Sequence, residues 1–138
     1  MPKAKQSGYE EIEHTADWAL KVWAPDIETL FVQAAKGMND LAEMVLSKIK
    51  GVEKEFDLEA MDAESLLVTF LSELLYYSEM EHLGFDCFDL KIDNHKLTAK
   101  ITGGPIVALK NEIKAVTFYD LEIKQSDAGL EVVIVFDV

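Results

Sequence analysis

The sequence predicts an α+β fold: one mixed or mostly antiparallel β-sheet packed with two amphipathic α-helices. Three observations predict it. Two segments repeat apolar residues at helical spacing, the segments around them alternate apolar and polar residues with period two, and tight turn signals join several of the alternating segments into hairpins. A chain of 138 residues has the usual size of one domain and can bury roughly 68% of the surface its unfolded form exposes. Residues 1–138 are therefore expected to share one core, with residues 1–8 frayed.

Residues 9–14 and 18–24 read as two short strands, the second carrying Trp18, Leu20 and Val22 at period two, with a turn around residues 15–17. Pro25 and Asp26 then open a helix. Asp26 is a candidate N-cap, Glu28 favours the positive helix end, and Ile27, Leu30, Phe31, Ala34, Ala35, Met38, Leu41, Ala42 and Val45 recur along one face. After residues 48–51, Lys54, Phe56 and Leu58 alternate with acidic residues as a strand with one wet face. A second helix follows, capped by Asp62, with Leu66, Leu67, Phe70, Leu71, Leu74 and Leu75 as its apolar stripe to about Glu81 and Gly84 as its stop.

Phe88, Leu90 and Ile92, the pair Asn94-His95, and then Leu97, Ala99 and Ile101 spell strand, tight turn and strand. Gly103, Gly104 and Pro105 are expected to open a loop to about Ile113. Residues 115–124 and 130–138 form a last strand pair around residues 126–129. The final strand, LEVVIVFDV, is apolar on both faces and belongs inside a sheet.

Composition excludes several functions. Thirteen lysines, no arginine and twenty-six acidic residues give a formal charge of −13, which repels a nucleic-acid backbone. Without arginine the chain also lacks the usual fork for bidentate phosphate recognition. Basic partners and hard cations suit such a surface. No apolar run approaches the roughly 20 residues of a membrane span, and no apolar region follows the N-terminal lysines, so a cytoplasmic location is expected. No P-loop, dinucleotide fingerprint or G-x-S-x-G elbow occurs among seven glycines. Three histidines, at 14, 82 and 95, lack metal-ligand spacing, and Cys87, between Phe85 and Phe88, is expected to be a packed core thiol.

Two segments remain. His14-Thr15-Ala16-Asp17 lies where the first strand meets the second, and Phe136-Asp137-Val138 ends the sequence on its most apolar strand. A strand ordered to its last residue would hold the Asp137 carboxylate beside the α-carboxylate of Val138, and Asp17 beside them would make three. Two carboxylates ~4 Å apart repel by roughly 4 kcal/mol at an effective dielectric near 20, which protonation or a bound cation must relieve. An all-oxygen set selects Mg²⁺, Ca²⁺ or Mn²⁺. Taken by residue type alone, Asp17 is better explained as a turn cap, Asp137 as a solvated side chain and Lys114 as an exposed strand lysine.

HTADWALKVWAPDIETLFVQAAKGMNDL near the start, IKAVTFYDLEI near the end and the closing VIVFDV, in that order, resemble the archease family over residues 9–138. That resemblance implies an SHS2-related α+β fold and a protein cofactor, itself no enzyme, for an RtcB-type RNA ligase in tRNA splicing and RNA repair. The ligase of such systems joins RNA ends through a histidine-linked GMP made with GTP and Mn²⁺, and the archease-like protein promotes guanylylation and multiple turnover. RNA is then met only through the ligase. By the same resemblance the metal ligands correspond to Asp17, Asp137 and the carboxylate of Val138, and the functional lysine to Lys114; His14 is a secondary candidate for shaping the site, against the commoner reading of a structural histidine at a strand end. The chain departs from the family at Phe118-Tyr119-Asp120, where relatives often carry Tyr-His-Asp, and in a shorter, less basic loop before Lys114. Two other functions are compatible with the same residues: a metal-assisted phosphoester hydrolase using Asp17 and Asp137, and an adaptor that binds protein with incidental carboxylates.

Overall fold

The computed structural model describes residues 6–12, 18–49, 51–127 and 129–138. Along the chain these form β1 (Gly8–Ile12), β2 (Trp18–Ala24), α1 (Ile27–Ala42), β3 (Met44–Leu46), β4 (Val52–Glu59), α2 (Ala63–Glu81), β5 (Leu83–Asp93), β6 (Lys96–Leu109), β7 (Ala115–Val116), β8 (Lys124–Ser126) and β9 (Gly129–Asp137). The α+β class holds, with two helices and antiparallel pairing throughout the described strands. The strands make two sheets, not the single one expected. One has the order β1-β2-β9-β7, with β8 also on β9, and the other is built on β6, which pairs β3, β4 and β5.

Edge occupancy explains the division. Strand β9 is filled on both sides, by β2 along Leu130 to Phe136 and by β8 and β7 on the other edge, so it has no side left for the central hairpin. Strand β6 is likewise filled, with β5 and β4 both opposite its residues 96–103. Gly103, Gly104 and Pro105 do not open a loop. They continue β6 to Leu109, and the Pro105 carbonyl accepts from the Ser47 N–H at 2.8 Å.

Both helices start where their caps dictate. Asp26 accepts from the Thr29 N–H at 2.8 Å and Asp62 from the Ser65 N–H at 2.7 Å, which satisfies helix donors that have no partner within the helix. The bond from Ser65 holds the Asp62 carboxyl below the usual carboxylate range. Helix α1 stops at Ala42, with Glu43 left-handed, so Val45 belongs to the short strand β3 and not to the helical stripe. Helix α2 stops with left-handed His82. Gly84, expected as that stop, lies inside β5 opposite Gly104, where a Cβ would fall 2.4 Å from the Met44 sulfur. Asn94 and His95 both take positive φ, as the two-residue hairpin turn requires.

Core residues of α1 and α2 meet Leu20, Val22 and Ala24 of β2, Val132, Ile134 and Phe136 of β9, and Leu97, Ala99 and Ile101 of β6 in one cluster. Phe31 and Phe70 stack at 5.8 Å between the helices, each fully buried and worth about 1.5–3 kcal/mol in transfer from water. Alternation leaves Val133, Val135 and Asp137 on the opposite face of β9. The same rule corrects the reading of Cys87. Because Phe88, Leu90 and Ile92 pack toward the core, Cys87 shares the outward row with Asp89 and Lys91 and is exposed, next to a bulge between Phe85 and Cys87. Gly8, expected in a frayed segment, pairs with Trp23 in β1. The strand expected over residues 115–124 is split into β7 and β8 by a turn.

Tyr9 of β1 donates to the Asp40 carboxylate of α1, and that bond, with partial burial and the carboxylate charge, pushes the phenol up to about 12. A raised phenol contributes stability below its unfolded value near 10 and loses it as pH climbs through about 12. Denaturant midpoints of the protein and of Tyr9→Phe are therefore expected to differ at pH 8 and to converge between pH 10 and 12; a gap constant across that window would show that the bond does not set it.

Candidate functional site

Strand β9 positions the C-terminal candidates. Its central place forces the chain to stay extended to Asp137: Ala115 pairs with Asp137, Val116 with Phe136, and the Lys114 N–H donates to the Asp137 carbonyl at 2.8 Å. Lys114 and Asp137, 23 residues apart in sequence, are thus joined by a main-chain hydrogen bond, with Ala115 directly opposite Asp137. On the other edge Trp18 pairs with Phe136. Asp17, bonded to Trp18, and His14 lie outside the described residues, so the expected trio is described only at Asp137 and Val138, both exposed. Among the described residues no group of three or more His, Cys, Asp or Glu side chains could hold a metal ion.

What the described end of β9 offers is oxygen. Asp137 brings a carboxylate on the outward face, and Val138 follows it at the end of the sequence. Oxygen donors alone match a hard divalent cation in kind, since zinc and copper sites draw on nitrogen or sulfur. In number they need a further carboxylate.

Lys114 also borders a cavity of about 420 Å³ between the two helices, β3 and β5. Met38, Ala42, Leu74 and Phe85 contribute apolar walls, while Ser78, Glu79, His82 and Glu112 contribute polar groups. Asn39 donates to the Phe85 carbonyl at 2.8 Å and Asn111 to the Leu41 carbonyl at 3.0 Å, so both amides are tied to the backbone that shapes this wall. The segment 111–114 therefore joins the cavity to the strand end through its own backbone.

Comparison with known proteins decides the family. The Archease protein family matches residues 9–138. The chain belongs to the archease family. The Protein archease of Methanosarcina barkeri is 34% identical over 142 residues, covering 94% of this chain and 95% of that protein, and that of Pyrococcus abyssi is 33% identical over 129 residues, covering 88% and 91%. The solution structure of Methanobacterium thermoautotrophicum protein 1598 aligns with a TM-score of 0.73 at 27% identity over 95% of this chain and 99% of that one. A crystal structure of an archease and possible chaperone from Thermotoga maritima aligns with a TM-score of 0.69 at 23% identity, over 94% and 96%, and bears on the fold alone. Family membership supports a protein-cofactor role in general terms.

In this archease-family chain no described helix is long and apolar enough to cross a membrane. The structure brings Lys114 and Asp137 together, which their sequence separation did not reveal. It also shows a displayed turn, residues 117–123, that period-two reading had absorbed into one strand. The available signal was Phe118-Tyr119: adjacent aromatic residues in a strand face opposite sides, and the chain there had one core to face.

Proposed function

We propose that this archease-family chain is a metal-binding protein cofactor that activates an RtcB-type RNA ligase, promoting histidine guanylylation and multiple turnover in tRNA splicing and RNA repair in the cytoplasm. The observation that carries the reading is the ladder register at the end of β9. Asp137 is directly opposite Ala115 and bonded through its carbonyl to Lys114, while Phe136 is opposite Trp18, the residue bonded to Asp17. Asp17, Asp137 and the Val138 carboxylate are the proposed ligands of Ca²⁺, Mg²⁺ or Mn²⁺, with His14 beside them. A bound cation supplies positive charge for phosphate oxygens in a protein whose own charge is −13.

The chain's residues then have separate tasks. Asp137, held by a central strand, presents a carboxylate whose position does not depend on a loop. Lys114 projects an exposed ammonium from the adjoining segment, at the right end of the sheet to meet a phosphate or a partner carboxylate. The acidic surface favours a basic face on the ligase and speeds their encounter in a salt-sensitive way. No nucleophile is contributed by this chain; the ligase supplies its own histidine.

Two measurements test the reading. Reconstitution with the ligase encoded in the same genome should show GMP transfer and repeated RNA joining that rise when this protein is added; equal turnover with and without it would refute the cofactor role. Thermal unfolding against Ca²⁺, Mg²⁺ or Mn²⁺ should show stabilisation of ~2.7 kcal/mol at 100 times the dissociation constant of a native-only site. Residues appended after Val138 should remove most of that gain, and an unchanged gain would exclude the terminal carboxylate as a ligand.

A further inference from the structure

Phe118 and Tyr119 are 59% and 61% exposed, yet the turn that carries them is firmly anchored. The Thr117 N–H and hydroxyl both donate to the Val135 carbonyl, at 3.0 and 2.9 Å, and the Leu121 N–H donates to the Phe118 carbonyl at 3.1 Å. At the far end the Ile123 N–H donates to the Glu64 carboxylate of α2 at 2.9 Å. Asp120 holds a left-handed φ of 50°, and Leu121 and Ile123 pack against the core. Backbone and core contacts thus dictate that the two rings face outward. Display of two large aromatic groups on a fixed turn is a feature of binding surfaces more than of stability, because the burial that would stabilise them is forgone.

Their surroundings define what they can bind. Asp120 and Glu122 lie in the same shallow hollow, and the one ammonium there among the described residues, Lys124, is opposite Glu131 in the β8–β9 ladder. Aromatic faces beside carboxylates attract ammonium and guanidinium groups through the ring quadrupole and through charge. Val133 and Val135 form the floor, on the outward row of β9 that ends at Asp137. Asp137 is two residues beyond Val135, roughly 7 Å along an extended strand. Whatever sits on the rings is therefore brought to the candidate cation site.

We propose that the turn formed by Phe118, Tyr119, Asp120 and Glu122 is the docking surface for lysine and arginine side chains of the protein partner, a proposal that rests on the function given above. Docking and activation then separate along one face of β9: the turn holds the partner and the strand end acts on it. Because both rings are exposed, their removal leaves the core intact.

The test compares Phe118→Ala/Tyr119→Ala, Asp120→Asn/Glu122→Gln and Asp137→Asn with the unaltered protein, measuring ligase affinity by calorimetry at two salt concentrations together with activation of GMP transfer. The aromatic double variant should bind at least tenfold more weakly and recover full activation at saturating concentration. The carboxylate double variant should bind more weakly with a flatter salt dependence, and Asp137→Asn should bind the ligase normally but lose most of the activation at limiting cation. Affinity of the aromatic variant within twofold of the unaltered protein, with activation retained, would overturn the docking surface and leave the cofactor function standing. If the unaltered protein neither binds nor activates the ligase, both fall.

Discussion

Asp137→Asn is expected to weaken divalent-cation binding about 100-fold and to remove most of the activation of the ligase at limiting cation. The substitution is close to isosteric and keeps the main-chain carbonyl that accepts from Lys114, so β9 and β7 stay paired. Its side chain is on the outward face and contributes nothing to the core cluster. What changes is one formal charge on a proposed direct ligand. Replacing mere outer-sphere partners of metal ligands costs 10–100-fold in affinity, so loss of an anionic ligand belongs at the upper end of that range, or ~2.7 kcal/mol. Asp57→Asn, the same change on an exposed position of β4, is the control for altered net charge and should leave both quantities unchanged. If Asp137→Asn binds the cation within twofold of the unaltered protein and still activates, the strand-end carboxylate is not a ligand.

Much of the fold was legible because it depended on local chemistry. The caps Asp26 and Asp62, the bounds of β2, and the Asn94-His95 turn follow from side-chain hydrogen bonding, alternation and left-handed propensity within a few residues. The two-sheet division was not legible, since it depends on which strand edges remain free after β2, β7 and β8 have filled β9. Nor was the neighbourhood of Lys114 and Asp137: each is an exposed charged residue at a strand end, and only the ladder between β7 and β9 relates them. Cys87 was misjudged through its apolar neighbours in sequence, although the alternation of Phe88, Leu90 and Ile92 already assigned it to the outer row. The expected role of Asp17 rests chiefly on the family pattern, and both it and His14 lie outside the described residues.

Gly103→Val is expected to have the largest effect on stability. The dipeptide Gly103-Gly104 before Pro105 carries the usual signal of a loop, because glycine supplies positive φ at turns. Gly103 is not among the positive-φ glycines, however, and its requirement is one of space. A Cβ there would fall 1.9 Å from the Gly84 carbonyl oxygen and 2.7 Å from the Phe85 Cα, both backbone atoms of the adjoining strand β5. No side chain can swing aside to relieve those contacts. The ladder must part where β5 is already bulged between Phe85 and Cys87, while β6 is held on its other edge by β4 through the pairing of Val52 with Gly103. Overpacking that side chains can absorb costs about 1–3 kcal/mol, so a backbone clash at a central strand should exceed ~3 kcal/mol, a large part of a stability of about 5–15 kcal/mol. Gly51→Ala provides the contrast. Gly51 has a φ of 125°, and a Cβ added there would meet nothing within 4 Å, so it bears only the conformational penalty. That penalty is about 1–3 kcal/mol. Denaturant unfolding of the two variants should therefore rank Gly103→Val well below Gly51→Ala; equal midpoints would mean that β5 and β6 can separate at this rung without loss, and that close approach is not what reserves the position for glycine.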